Sequence, residues 1–187
     1  NAPPLSFANV KYDEHARNVL DIWLAQSEKP TPLVVFIHGG GWRGGDKSVI
    51  PPELVKFWLA HGISVASINY RLSQMAKLPA PVHDAARAVQ FLRSKAKEWN
   101  LRKDRIAAMG GSAAACTTLW LTYHDDLAEP KSADPVARES TRLCAGVDLA
   151  GQTSIDPEVV VPWVGDQIMN HGMFWAAVGA TNRAESK

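Results

Sequence analysis

Leu33-Val34-Val35-Phe36-Ile37 is an apolar run with no polar break, and it leads directly into His38-Gly39-Gly40-Gly41. A strand with one wet face alternates in polarity. A strand that is apolar at every position is covered on both faces, as in a parallel sheet layered between helices. The rest of the chain supplies the parts of such a sheet. Residues 19–24, 63–68, 105–109 and 143–149 read as further strands, and residues 5–10 as an edge strand. Helical periods fall between them. Leu54, Val55, Trp58 and Leu59 form a stripe behind Pro51-Pro52, which suit a first turn, and Gly62 is a natural stop. Ala85, Ala86, Val89, Leu92 and Ala96 recur at a spacing of three to four. A third helix is expected from Ser112 toward Tyr123. This alternation predicts an α/β fold, a mostly parallel sheet with helices on both faces, joined by right-handed crossovers. After Gly151 the alternation stops, and residues 152–187 read as irregular or short-helical.

Composition narrows the function classes. The chain has 187 residues, 46% hydrophobic and 21% charged, which suits one globular domain. A net charge of +1 with no basic block argues against nucleic acid or an anionic membrane surface as partner. No apolar run approaches the ~18 residues of a membrane-spanning helix. Two cysteines, Cys116 and Cys144, exclude a disulfide-dense scaffold and a Cys-rich zinc module. The layout puts them at opposite ends of the sheet, so both thiols are expected free. His124-Asp125-Asp126 looks like a metal cluster, but adjacent helical residues point apart, and neither a metal nor a cofactor is expected.

Two motifs carry chemistry. In His38-Gly39-Gly40-Gly41-Trp42, consecutive glycines let backbone N–H groups face a cavity with no Cβ in the way. Such amides stabilise an oxyanion. A phosphate loop would need a Gly-Lys-Ser/Thr ending, and Gly45 is followed by Asp46 instead. In Met109-Gly110-Gly111-Ser112-Ala113-Ala114, a serine stands where a strand must turn sharply into a helix. That turn exposes the hydroxyl, and the N–H of Ala113 then sits at a helix N-terminus that favours negative charge.

His38 to Trp42, Gly45-Asp46-Lys47, Asn69-Tyr70-Arg71-Leu72, the helix around Asp84 and Gly110 to Ala113 together resemble the α/β-hydrolase esterases. The nearest group is the hormone-sensitive-lipase-like one, with the bacterial feruloyl and acetyl esterases. The resemblance spans roughly residues 10–150. It implies Ser112 as nucleophile and the N–H groups of Gly40, Gly41 and Ala113 as oxyanion hole. It also implies a structural His38, Trp42 lining the acyl or alcohol pocket, and Tyr70, Arg71 and Asp84 as nearby scaffold. Ala114 stands where the group has glycine, and the extra methyl is expected to be tolerated with a small shift. Residues 1–151 then form the N-terminal part of the hydrolase domain, and 152–187 a cap-like or irregular segment of it.

In this fold the triad runs serine, acid, histidine along the chain. His124 lies twelve residues beyond Ser112, about 18 Å along a helix, too far to be the base. His171 follows Asp148, Asp156 and Asp166 in the permitted order, but a packing or solvated histidine is the better reading. The expected fold is therefore incomplete at its C-terminus. A second chain carrying the late strands, a sequence that stops short, or residues 152–187 folding back over the edge strand would each complete it, and the first two suit the physics better. The expected activity is a serine carboxylic-ester hydrolase acting on short-chain or carbohydrate-linked esters. Its alternatives are an arylformamidase, whose relatives tend to carry Tyr at the position of Gly41, and a catalytically incomplete, partner-binding pseudo-esterase. Export is the expected localisation, with the cytoplasm as alternative.

Overall fold

The computed structural model describes residues 1–170 and Trp175. Six strands form one sheet: β1 (Phe7–Lys11), β2 (Val19–Trp23), β3 (Thr31–Ile37), β4 (Ser64–Ile68), β5 (Leu101–Gly111) and β6 (Ala145–Leu149). Among the described residues four α-helices with defined bounds accompany them: α1 (Pro52–Ala60), α2 (Ala80–Ser94), α3 (Ala113–Tyr123) and α4 (Pro157–Val164). The spatial order is β1-β2-β4-β3-β5-β6. β4, β3, β5 and β6 run parallel, while β1 and β2 join antiparallel.

The apolar run in β3 is explained by what lies on each side. Leu33, Val35 and Ile37 belong to the larger core, with Ala85, Ala88, Val89 and Leu92 of α2 and Ala113, Ala114 and Leu121 of α3. Phe36 packs instead on the smaller core of Trp23, Ile50, Val55 and Val65, beneath α1. Alternate side chains thus face two separate helical layers, and no position in the strand is exposed, Pro32 and Phe36 being half-buried. At ~1.5–3 kcal/mol for each fully buried aliphatic side chain, this two-sided burial fixes the register of β3 in the sheet centre.

β5 begins four residues before the expected position: Leu101 pairs with Thr31, and Arg102-Lys103-Asp104-Arg105, all exposed, forms an irregularity before pairing resumes at Ile106. An apolar pattern cannot see such an end. β6 is shorter than expected and starts at Ala145. All five of its residues are exposed, and residues 152–170 do not cover it. Folding back over that edge, the third of the expected completions, does not occur among the described residues. An apolar groove of about 430 Å³ runs beside it, lined by Trp58, Met109, Ala145 and Val147 among others. α4 is short and has no buried residue, in keeping with the short-helical reading of this segment.

One topological fact places the site. From β3 the chain passes through α1 to β4 on one side. From β4 it returns through α2 to β5 on the other side of β3. The direction reverses between β3 and β5, and the crevice at the carboxyl ends of those two strands is where open α/β sheets bind ligands.

Candidate active site

Both motifs lie at that crevice. The glycine loop leaves the end of β3, and the Ser112 turn leaves the end of β5, whose Gly110 pairs with Ile37. They touch: a methyl on Gly39 would stand 2.8 Å from the Gly111 carbonyl oxygen and 3.8 Å from Ser112 Cβ. Only glycine permits that approach, so Gly39 fixes the distance between the two halves of the site.

Ser112 is exposed and adopts φ 57°, ψ −124°, a conformation that L-residues rarely hold. It precedes α3 rather than opening it, and α3 begins at Ala113. Its N–H donates to Leu149 O at 3.0 Å and its carbonyl accepts from Cys116 N at 3.1 Å. These two bonds pin the strained turn and leave the hydroxyl outward. Gly110 makes room for it, since a Cβ there would meet Ala114 Cβ at 2.5 Å and Ile37 O at 2.8 Å. Ala114 is fully buried, and the methyl that departs from the family pattern fills the space Gly110 leaves.

The loop itself is a tight left-handed turn, with φ of 103° at Gly40, 60° at Gly41 and 54° at Trp42. Arg43 N and Gly44 N both donate to Gly40 O, at 3.0 and 3.2 Å. Gly40 is exposed and Gly41 half-buried. Among the described residues neither amide donates to a protein acceptor. Ala113, as first residue of α3, has no intrahelical carbonyl for its N–H either. The N–H of Ala113 thus lies next to the exposed Ser112 at the positive end of the α3 dipole, and Gly40 and Gly41 belong to the loop whose Gly39 packs against Ser112.

Trp42 is 3% exposed and lies within the larger core. Its indole N–H donates to Thr117 Oγ1 at 3.0 Å, and that hydroxyl donates to Ala113 O at 3.0 Å. Trp42 therefore ties the glycine loop to the first turn of α3.

His38 is fully buried and stacks on Tyr70 with centroids 4.3 Å apart. Tyr70 Oη donates to His38 O at 2.7 Å. Arg17 NH2 approaches His38 Nε2 at 3.4 Å, and since a guanidinium only donates, Nε2 accepts. The ring proton then sits on Nδ1, which donates to Gly39 O at 2.8 Å. Burial, with the Arg17 charge adding to it, pushes the His38 pKa down, so the ring is neutral. Both nitrogens are occupied, and His38 is a brace and not a base. Behind it, Lys47 pairs with buried Asp21 at 2.5 Å and Lys47 N donates to Asn69 Oδ1 at 2.7 Å. Asp84 receives Arg71 through its backbone N–H at 2.8 Å and its guanidinium at 2.6 Å. Tyr70, Arg71 and Asp84 thus form scaffold behind the loop.

His124 stacks on Trp120 at 4.0 Å at the far end of α3, away from Ser112. His171 lies outside the described residues. Among the described residues there is no group of three or more His, Cys, Asp or Glu side chains able to hold a metal. No helix among the described residues is long and apolar enough to cross a membrane. Cys116 and Cys144 are free thiols, and burial raises the pKa of Cys116, with Asp148 adding to it. Sequence reasoning missed Arg17 and Thr117. Neither sits in a motif, and each matters only through partners 21 and 75 residues away in the chain.

Comparison with known proteins agrees with this geometry. The BD-FAE family model matches residues 20–160. A probable isoprenylcysteine alpha-carbonyl methylesterase, ICMEL1, of Arabidopsis thaliana is 30% identical over 76% of this chain and 30% of its own length. Esterase LipQ of Mycobacterium tuberculosis is 27% identical over 86% of this chain and 41% of its own. The chain thus spans less than half the length of these curated relatives. The crystal structure of an acetyl ester-xyloside bifunctional hydrolase from Caldicellulosiruptor lactoaceticus superposes with a TM-score of 0.67 at 26% identity, over 90% of this chain and 62% of that one. The sheet, its flanking helices and the turn that presents Ser112 are those of an α/β-hydrolase.

Proposed function

The chain belongs to the BD-FAE family, and from that membership we propose that the protein is a serine hydrolase of carboxylic esters. Ser112 Oγ attacks the ester carbonyl carbon. The carbonyl oxygen becomes an oxyanion and is received by the N–H groups of Gly40, Gly41 and Ala113. A histidine outside the described residues takes the serine proton and returns it to the departing alcohol. The acyl group remains on Ser112 until water releases the carboxylic acid.

The observation that carries the reading is the exposed, strained Ser112 set against Gly39, with the Ala113 N–H beside it at the start of α3. A buried serine in a relaxed turn would support only a structural role. Acetyl and other short acyl groups, including those esterified to carbohydrates, are the proposed substrates, in line with the names of the similar structures. Gly41, where formamidase relatives tend to carry tyrosine, favours esters over formamides. In the full-length protein, Ser112→Ala abolishes hydrolysis of p-nitrophenyl acetate, and short acyl esters turn over faster than N-formylkynurenine. Undiminished hydrolysis by Ser112→Ala overturns the assignment, and the reverse substrate order overturns the ester preference.

A further inference from the structure

We propose that Arg17 is a positioning residue for the oxyanion hole, holding the glycine loop in the geometry that hydrolysis needs. The proposal rests on the hydrolase reading above and concerns how its site is kept in register.

Arg17 lies far from the motifs, in the turn before β2, and is half-buried. Its guanidinium makes three contacts, all to the backbone or ring of the site's supporting loops. Nε donates to Tyr70 O at 2.8 Å. NH2 donates to Gly45 O at 3.0 Å and faces His38 Nε2 at 3.4 Å. His38 and Gly45 bracket the glycine loop at its two ends, and Tyr70 is the residue on which His38 stacks. One planar fork therefore joins both ends of the loop to the chain segment after β4. The contact to His38 also fixes which nitrogen carries the ring proton, and so maintains the bond from Nδ1 to Gly39 O.

The anchor is itself held. Arg17 N donates to His15 Nδ1 at 3.1 Å, and His15 N donates to Asn18 Oδ1 at 3.2 Å. Asn18 Nδ2 donates to Tyr12 Oη at 3.1 Å, and Tyr12 Oη donates to Asn69 O at 2.5 Å. Burial pushes the Tyr12 pKa far up, so its hydroxyl keeps the proton it donates. No carboxylate pairs with the Arg17 guanidinium within salt-bridge distance among the described residues. Its donors are committed to the loop.

A lysine keeps the charge but presents a compact ammonium, without the planar spread that meets three acceptors in three directions. The loop then loses part of its fixing even when the fold survives. Misplacing catalytic groups by about 1 Å costs on the order of 100-fold in rate.

The test uses the full-length protein with p-nitrophenyl acetate at 25 °C, in four forms: wild type, Arg17→Met, Arg17→Lys and Ser112→Ala. Arg17→Met is expected to lower kcat by about 10- to 100-fold with KM within about threefold, because the lost interaction acts on the transition state and not on substrate binding. Arg17→Lys is expected to lower kcat by about tenfold while unfolding near the wild-type temperature. It decides the matter should Arg17→Met not fold. Binding of a trifluoromethyl ketone, which forms an oxyanion on the serine, is expected to weaken in step with kcat/KM. A purely structural Arg17 would lower the unfolding temperature and leave kcat unchanged in the folded variants. That result, or a rise in KM at constant kcat, overturns the proposal while Ser112→Ala remains inactive. Full activity in Ser112→Ala instead overturns the underlying hydrolase reading.

Discussion

Ser112 holds a backbone conformation, φ 57° and ψ −124°, that costs roughly 1–3 kcal/mol for a residue with a Cβ. The cost is borne because the turn is pinned from Leu149 O on one side and Cys116 N on the other. Replacing the side chain by hydrogen removes the clash. Ser112→Gly should therefore raise stability by about 1 kcal/mol, after allowing for the extra freedom of glycine in the unfolded chain, while abolishing ester hydrolysis. Ser112→Ala keeps the Cβ and should leave the unfolding midpoint close to wild type. Paired urea melts of the two variants check this. Equal midpoints would show that Ser112 is not strained. The place of Ser112 at a strand-to-helix turn was legible in the sequence, since it is a serine flanked by small residues between an apolar run and a helical stretch. The burial of Trp42, in a loop with positive φ at three consecutive positions including its own, was not legible, because residue type gives no sign of such a backbone.

At the scale of elements, β5 and α3 cross so closely that Gly110 and Ala114 share one methyl's worth of space. Gly110→Ala should destabilise by about 1–3 kcal/mol through overpacking. Ala114→Gly, although it restores the family's usual residue, should cost about 1 kcal/mol through lost helix propensity and burial. Thermal unfolding of the two variants measures both. The glycine loop carries a separate, pH-dependent anchor. Against a desolvation that raises it, the Ser48 N–H, the Asn69 amide and Lys47 bring the Asp46 pKa down to about 2, from an ordinary 3.8. A folded-state pKa below the unfolded one contributes stability that is complete above the unfolded value and is lost as pH falls toward the folded one. The wild-type advantage over Asp46→Asn should therefore be full above about pH 5 and fade between about pH 4 and pH 2. An advantage independent of pH across that window would contradict the assignment. The central strands and α1 to α3 were legible because their faces are uniformly apolar. The first four residues of β5 and the antiparallel joining of β2 to β4 were not: the former are a mostly exposed, charged stretch tied to the sheet through Leu101, and the latter is made by backbone pairing, and an apolar pattern reports neither.

At the scale of the whole molecule, the site exists only through tertiary structure. The glycine loop and Ser112 lie more than seventy residues apart in the chain, and they meet because α2 carries it back across β3 to place β5 on the opposite side. The order of motifs pointed to that meeting, but the brace behind it, Arg17 to His38 and Trp42 to Thr117, joins residues no spacing rule connects. The described residues supply the exposed, strained Ser112 and the glycine loop packed against it, and among them no histidine hydrogen-bonds to Ser112. The most direct measurement is site-resolved labelling of the full-length protein with a fluorophosphonate, read by peptide mass mapping in the native state and in urea. Folding should be required, with a single adduct on Ser112 in the native protein, none in urea, and none in Ser112→Ala. An adduct on any other residue, or labelling that persists in Ser112→Ala, would contradict the assignment of Ser112 as the nucleophile.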